Sequence, residues 1–298
     1  MNILKINELS VIYDKTPVLQ IQQPIEIDSG DIVGIIGENG AGKTTLINAI
    51  LNEVNYSGNI YRGFSRDDVG VQFQSNSYND YMKVGELVYI VTGYRCNDKK
   101  ISDQLKSFDI DNLVKKKIGV LSGGERQRLT LFLLLYLKPS VLFLDELTTG
   151  LDYEKRQKML SLIYQYSKDK TVFTVTHYFD ELEGFANKML ILKHGKVAFF
   201  GTIPKLERQY PLSGVVKLSK SVLMPEMLNK IRQLDSARED ESGEIWIPFS
   251  SEEEKEELER NLKPFNIHYD IKSADLYAYY IMATKNTINK GDRDNEVN

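Results

Sequence analysis

Cysteine is all but missing from this sequence: Cys96 stands alone among 298 residues, which excludes an intramolecular disulfide and fits a reducing compartment. Long hydrophobic runs are missing too. The most apolar stretch, Leu129 to Leu137, is far too short to cross a bilayer and reads as a buried helix. No signal-peptide core follows the N-terminus, where Met1 to Ile6 alternates like a strand. An excess of basic charge is absent, the formal net charge being -4, so nucleic acid is not an expected partner. Sustained heptads are absent as well, which argues against a long coiled coil.

What is present is a glycine-rich turn between a strand and a helix. Asp31 to Ile36 reads as a buried strand and Thr44 to Leu51 as the first turns of a helix, with Gly37-Glu38-Asn39-Gly40-Ala41-Gly42-Lys43-Thr44-Thr45 between them. Glycines at this turn open backbone angles closed to other residues and let successive N–H groups approach a polyphosphate at the positive helix end. The pattern is a P-loop, the turn that cradles the phosphates of a nucleotide. Gly37, Asn39, Gly40, Ala41, Gly42, Lys43, Thr44 and Thr45 are its candidate nucleotide contacts, Lys43 reaching the β- and γ-phosphates and Thr44 coordinating Mg²⁺.

Downstream, Leu121-Ser122-Gly123-Gly124-Glu125 begins a second glycine motif, which read by itself is a helix start capped by Ser122. Lying between a P-loop and an apolar strand that ends in two acids, Val141 to Glu146, this run resembles the signature motif of ATP-binding cassette (ABC) ATPases. The resemblance implies that Ser122, Gly123 and Gly124 serve the ATP held by a second subunit. It also implies that Asp145 holds Mg²⁺ through water and Glu146 polarises the attacking water, positioning and charge being what phosphoryl transfer asks of a protein.

Further positions match the same family pattern. His177, delivered by the β-rich run Thr171 to Thr176, resembles the histidine that contacts the γ-phosphate, although a histidine after a strand is by itself more often a surface residue. Gln74 resembles the glutamine that touches Mg²⁺ and senses the transmembrane partner, with Gln72 a competing candidate inside the preceding strand. Asp152 resembles the aspartate that crosses a dimer interface, and Leu147 departs from the proline usual after the catalytic glutamate. Tyr13, after an N-terminal strand, resembles the aromatic that stacks on adenine, with Val18 as an apolar neighbour; packing is the competing role for Tyr13 in a chain with 17 tyrosines.

The element order is α/β and matches the architecture that the resemblance implies: a P-loop NTPase with a mostly parallel core sheet, an antiparallel β subdomain and an inserted α-helical subdomain, followed here by a small C-terminal α+β appendage. Residues 1–205 form the predicted nucleotide-binding domain, with 75–121 as the helical insertion carrying helices over Val84 to Val91 and Ile101 to Phe108. In 212–286, strands are predicted at Val215 to Leu218, Glu244 to Pro248 and Phe265 to Tyr269, and helices at Pro225 to Leu234, Ser251 to Leu262 and Ala274 to Thr284. Residues 287–298 read as a flexible tail, and the 252–259 acid run as a solvated helix face.

Several expectations about partners rest on the resemblance. They are an ATP-sandwich dimer, homomeric or with a homologous ATPase, and transmembrane permease subunits that place the chain on the cytoplasmic face of the membrane. Tyr78, Tyr81 and Met82 are candidate permease contacts, with ordinary loop packing the competing reading. Ser273 to Tyr280 resembles the closing helix of exporter ATPases, which favours export. The alternative is a soluble ABC ATPase acting on ribosomes or DNA.

Overall fold

The computed structural model describes residues 1–72, 78–223, 231, 236–240, 242–265 and 267–291. An antiparallel sheet opens the chain. Its long strand β1 (Asn2–Tyr13) pairs with β2 (Thr16–Ile21), β3 (Ile25–Asp28) and β5 (Ser57–Arg62). The β1–β2 hairpin turns through Asp14 and Lys15, both at positive φ, as a two-residue loop requires.

The central sheet has six strands: β10 (Lys196–Thr202), β9 (Lys188–Lys193), β4 (Ile32–Ile36), β8 (Thr171–Val175), β7 (Val141–Asp145) and β6 (Val69–Gln72), in that spatial order. All pairings are parallel except the β10 edge. β7 is buried at every position and β8 at all but Thr174, the continuous apolar reading of a sheet covered on both faces. Register places Ile35 and Asp145 opposite Val175, so β4, β7 and β8 end at one level. The loops leaving these strands therefore meet at one edge, where open parallel sheets bind ligands.

Helix α1 (Lys43–Ile50) packs Leu46, Ile47 and Ile50 between the two sheets. The insertion contains α2 (Val84–Thr92) and α3 (Lys99–Ser107), which bury Val84, Val88, Ile101 and Leu105 against α4 (Gly123–Tyr136). Leu129 and Leu131 to Leu135 lie inside that core, as expected of the most apolar run, but Leu137 at its end, just past the helix, is 64% exposed. Leu147 is buried there too, an apolar anchor where the family pattern has proline. Helix α5 (Tyr153–Tyr166) returns the chain to β8.

After α6 (Ile203–Gln209), a second antiparallel sheet forms from β11 (Gly214–Ser219), β12 (Arg238–Glu239), β13 (Glu244–Phe249) and β14 (Asp270–Lys272), in the order β12-β13-β11-β14, with α7 (Glu252–Leu262) packing Leu258 and Leu262 against it. The third predicted strand is displaced: residues 263–265 form a helical turn and pairing begins only at Asp270. The register that places Asp270 beside Lys217 and Ile271 beside Val216 sets the later start. The predicted helix over 225–234 lies outside the described residues except for Ile231, which is buried in the appendage core.

The last helix, α8 (Leu276–Gly291), runs past the predicted end at Thr284 and takes in the first of the residues read as a tail; 292–298 lie outside the described residues. Its first turn is stopped by Asp275, which accepts a hydrogen bond from the Ala278 N–H at 3.0 Å. Two faces of α8 bury against different neighbours. Leu276, Tyr280 and Ala283 join Ile36, Met189, Ile191 and Phe199 of the nucleotide-binding domain, while Tyr277, Ala278 and Ile281 join Val215 and Trp246 of the appendage. Spacings of three and four residues give each face its own stripe.

Candidate functional site

The P-loop is shaped by what its glycines leave out. A Cβ on Gly37 would lie 2.4 Å from the Leu192 carbonyl oxygen, so only glycine lets the loop pass β9. Gly42 sits at φ 98 as the residue before α1, with the Val18 carbonyl 3.3 Å from where a Cβ would be. No side chain caps α1. The amides of its first turn therefore point, without a side-chain acceptor, at the strand-end edge, an arrangement suited to an anion.

Lys43 closes this turn. Its Nζ donates to the Gly37 carbonyl at 2.7 Å and the Glu38 carbonyl at 3.1 Å, with the residue only 7% exposed. Burial holds the ammonium below the usual lysine range, opposed by the carboxylates of Glu146, Asp145 and Glu38. A desolvated cation in this position gains from a phosphate more than an exposed one would. Thr44 Oγ1 donates to Asp145 Oδ2 at 3.4 Å, bringing the two predicted metal-side groups together. Burial, and then the Glu146 charge, push the Asp145 carboxyl above its usual range.

Glu146 follows Asp145 in a left-handed backbone conformation, φ 50, that turns its side chain out of the strand line. Its N–H donates to the Val175 carbonyl at 2.9 Å, and its Oε1 lies 2.6 Å from His177 Nε2. Strand ends β7 and β8 thus deliver the predicted water-polarising carboxylate and the predicted phosphate-contacting histidine as one pair. Neither residue type alone signals that pairing in the sequence.

Glu181 is the residue that sequence reasoning missed. It is 5% exposed, and its carboxylate accepts Thr148 Oγ1 at 2.6 Å and Thr176 Oγ1 at 2.8 Å. Those two hydroxyls flank the pair, Thr148 two residues after Glu146 and Thr176 directly before His177. Burial raises the Glu181 carboxyl above the usual range, against the two hydroxyl bonds and the Arg156 charge that lower it. In the sequence it sits in an ordinary acidic stretch, and nothing local marks it as buried.

The remaining predicted residues lie elsewhere or are partly placed. Ser122 caps α4: its Oγ accepts from the Glu125 N–H at 3.3 Å, while Glu125 accepts from the Ser122 N–H at 2.8 Å. No hydrogen bond joins Ser122–Gly124 to the P-loop among the described residues. A Cβ on Gly124 would be 2.9 Å from Leu151, and Gln127 Nε2 donates to the Thr149 carbonyl at 3.3 Å, so the signature turn adjoins the Asp152 segment. Asp152 caps α5, accepting the Lys155 N–H at 3.0 Å. Gln127 Oε1 and Arg128 Nε are buried there with no hydrogen-bond partner among the described residues.

Tyr13 is 44% exposed at the hairpin end of β1, and Val18 reaches the P-loop through its backbone. Gln74 lies outside the described residues. Gln72 is buried in β6, its Oε1 without a partner among the described residues. Tyr78 donates to Thr130 Oγ1 at 2.9 Å and Met82 packs on the helical core, so loop packing accounts for both; Tyr81 is 83% exposed.

Comparison with known proteins agrees with this geometry. A family model described as ABC transporter matches residues 23–149. The methionine import ATP-binding protein MetN of Clostridium tetani is 30% identical over 68% of this chain and 70% of its own length. The tungstate uptake system ATP-binding protein TupC of Peptoclostridium acidaminophilum is 31% identical over 65% of this chain and 96% of its own. A solved ATP-binding subunit of an ABC transporter superposes with a TM-score of 0.62 at 22% identity, covering 70% of this chain and 93% of that one, a likeness of fold.

Proposed function

We propose that this chain, which belongs to the ABC transporter family and is an ATPase of that family, powers transport through membrane permease subunits by hydrolysing Mg·ATP at the edge where β4, β7 and β8 end. The observation that carries the reading is the Glu146–His177 contact of 2.6 Å beside the buried Lys43 and the uncapped start of α1.

The residues present fit the nucleotide and its metal. The α1 amides and Lys43 bind and orient the phosphates; Thr44 and Asp145 would hold Mg²⁺, an ion that takes few protein ligands and keeps several waters. When bound, that ion supplies charge neutralisation between the phosphates. Glu146 accepts a hydrogen bond from the attacking water and draws its proton, and His177 holds Glu146 in place while facing the terminal phosphate. Tyr13 stacks on adenine, which reads a flat face more than base identity. Gln74 is assigned to the metal and the permease side by family resemblance alone.

Ser122, Gly123 and Gly124 adjoin the Asp152 segment, and among the described residues none of the four makes a hydrogen bond with the P-loop of the same chain. That separation supports a head-to-tail dimer in which one copy's signature turn completes the other's site. Mixing a Lys43→Ala chain with a Ser122→Arg chain leaves one intact composite site, so phosphate release should partly return. A mixture that forms heterodimers yet never exceeds either parent would contradict the arrangement.

No helix among the described residues is long and apolar enough to cross a membrane, in keeping with a permease partner that supplies the span. The direction of transport is a separate matter. Export rests on Ser273 to Tyr280 alone, and the relatives above carry the names of uptake systems; the proposal is therefore a transporter ATPase with no direction assigned.

A further inference from the structure

His177 is followed by a single helical turn, Phe179–Glu181, and this turn is anchored on two opposite sides. Inward, Glu181 takes the hydroxyls of Thr148 and Thr176. Outward, the Phe179 ring meets α8: its centroid is 4.9 Å from that of Tyr277 at 60° and 5.4 Å from that of Tyr280 at 51°. The inward anchor belongs to the nucleotide-binding domain, but the outward one is made by the last helix of the chain.

That helix is itself held firmly. The buried Lys193 Nζ donates to the Thr284 carbonyl at 2.9 Å, and Glu183 accepts from the Leu276 N–H at 3.4 Å. Tyr277 packs edge-on to Trp246 with centroids 4.9 Å apart, and Trp246 is fixed by Asp240 on its Nε1 at 2.7 Å and by Lys217, whose Nζ lies 3.6 Å over its ring. A chain of ring contacts thus runs from Phe179, two residues beyond His177, to the sheet of the appendage. Beside it opens a cleft of about 540 Å³ bordered by both His177 and Trp246.

We propose that Tyr277 and Tyr280 are positioning residues for hydrolysis, holding His177 in line with Glu146 through the Phe179 ring. This inference rests on the reading of His177 as the group facing the terminal phosphate. An error of about 1 Å in placing a reacting group costs on the order of 100-fold in rate, so a turn supported on one side only would slow chemistry while leaving the P-loop intact. Aromatic pairs of this geometry contribute beyond their buried area, which makes the two Phe179 contacts the ones to remove.

The test uses the full chain with Mg·ATP. Phe179→Ala removes the ring, and Phe179→Leu keeps most of its volume, so the second decides if the first melts without cooperativity. The expected result for Phe179→Leu is a kcat lowered at least about five-fold with nucleotide affinity within about two-fold of the parent. The ring-keeping variant Tyr277→Phe with Tyr280→Phe, made with Phe179 intact, should keep kcat in the parental range. Trp246 is the only tryptophan and packs on Tyr277, so its emission reports on the far end of the ring chain that starts at Phe179. It should change when the parent binds Mg·ATP and stay unchanged in Phe179→Leu. Parental turnover in Phe179→Leu, an equal loss of affinity and kcat, or an unresponsive Trp246 in the parent overturns the proposal. Parental turnover in His177→Ala sinks the reading of His177 itself, a different failure.

Discussion

Glu181 carries a carboxylate into the interior, where it receives two hydroxyls and lies 3.9 Å from the Arg156 guanidinium. Replacing it with leucine leaves the Thr148 and Thr176 hydroxyls buried without an acceptor, at a cost of about 1–3 kcal/mol each. Both loops that bear the Glu146–His177 pair should loosen together. Glu181→Leu is therefore expected to lower the melting temperature and to lose turnover by more than nucleotide binding. A variant with parental kcat would show that the clamp does not reach the pair. The raised pKa adds a pH signature. A carboxyl whose folded pKa lies above its unfolded value contributes stability that is complete below the unfolded value, about 4.3, and is lost as pH rises through the folded one. Relative to Glu181→Gln, the parent should gain melting temperature as pH falls from 7.5 toward 4; a difference independent of pH would contradict that assignment.

Among the elements, the strand–loop–helix unit β4–α1 states its own requirement most clearly. An alanine at Gly42 would need a left-handed conformation costing roughly 1–2 kcal/mol, with the Val18 carbonyl in near contact. Gly42→Ala should weaken nucleotide binding at least about ten-fold through that strain, and binding at parental strength would mean the loop tolerates another path. The unit was legible in the sequence because glycine spacing, strand and helix point the same way locally. So were β7 with its terminal acids and the Ser122 cap, which are also short-range patterns. The Glu146–His177 contact and the Glu181 clamp were not legible, since each depends on the register of parallel strands far apart in the chain. The misplaced third strand of the appendage has the same origin: Phe265 to Tyr269 has β-forming composition, but pairing with β11 decides where the strand begins.

For the molecule as a whole, α8 matters more than its position at the end of the described chain suggests. It buries Leu276 and Ala283 against Met189 and Ile191 in one direction, and Ala278 and Ile281 against Val215 in the other. Composition alone reads the appendage as a unit that could be removed from about residue 212. With α8 gone, however, the apolar surface of β9 and β10 faces water and the Lys193 ammonium loses its Thr284 acceptor. Ending the chain at 272 should therefore reduce thermal stability and blunt cooperative melting, whereas a shortened chain that melts like the parent would show that the two faces of α8 add little. The shortened chain should also lose turnover, because Phe179 has neither Tyr277 nor Tyr280 beside it.

Nucleotide binding and phosphate release measured side by side in Glu146→Gln bear most directly on the site at the strand ends. The amide fits the same space beside His177 but draws a proton from water poorly. The expected result is Mg·ATP bound with near-parental affinity and phosphate release reduced on the order of 100-fold or more, with the ATP-bound form accumulating as a dimer. Phosphate release near the parental rate in that variant would contradict the assignment of Glu146 and, with it, the site at the ends of β4, β7 and β8.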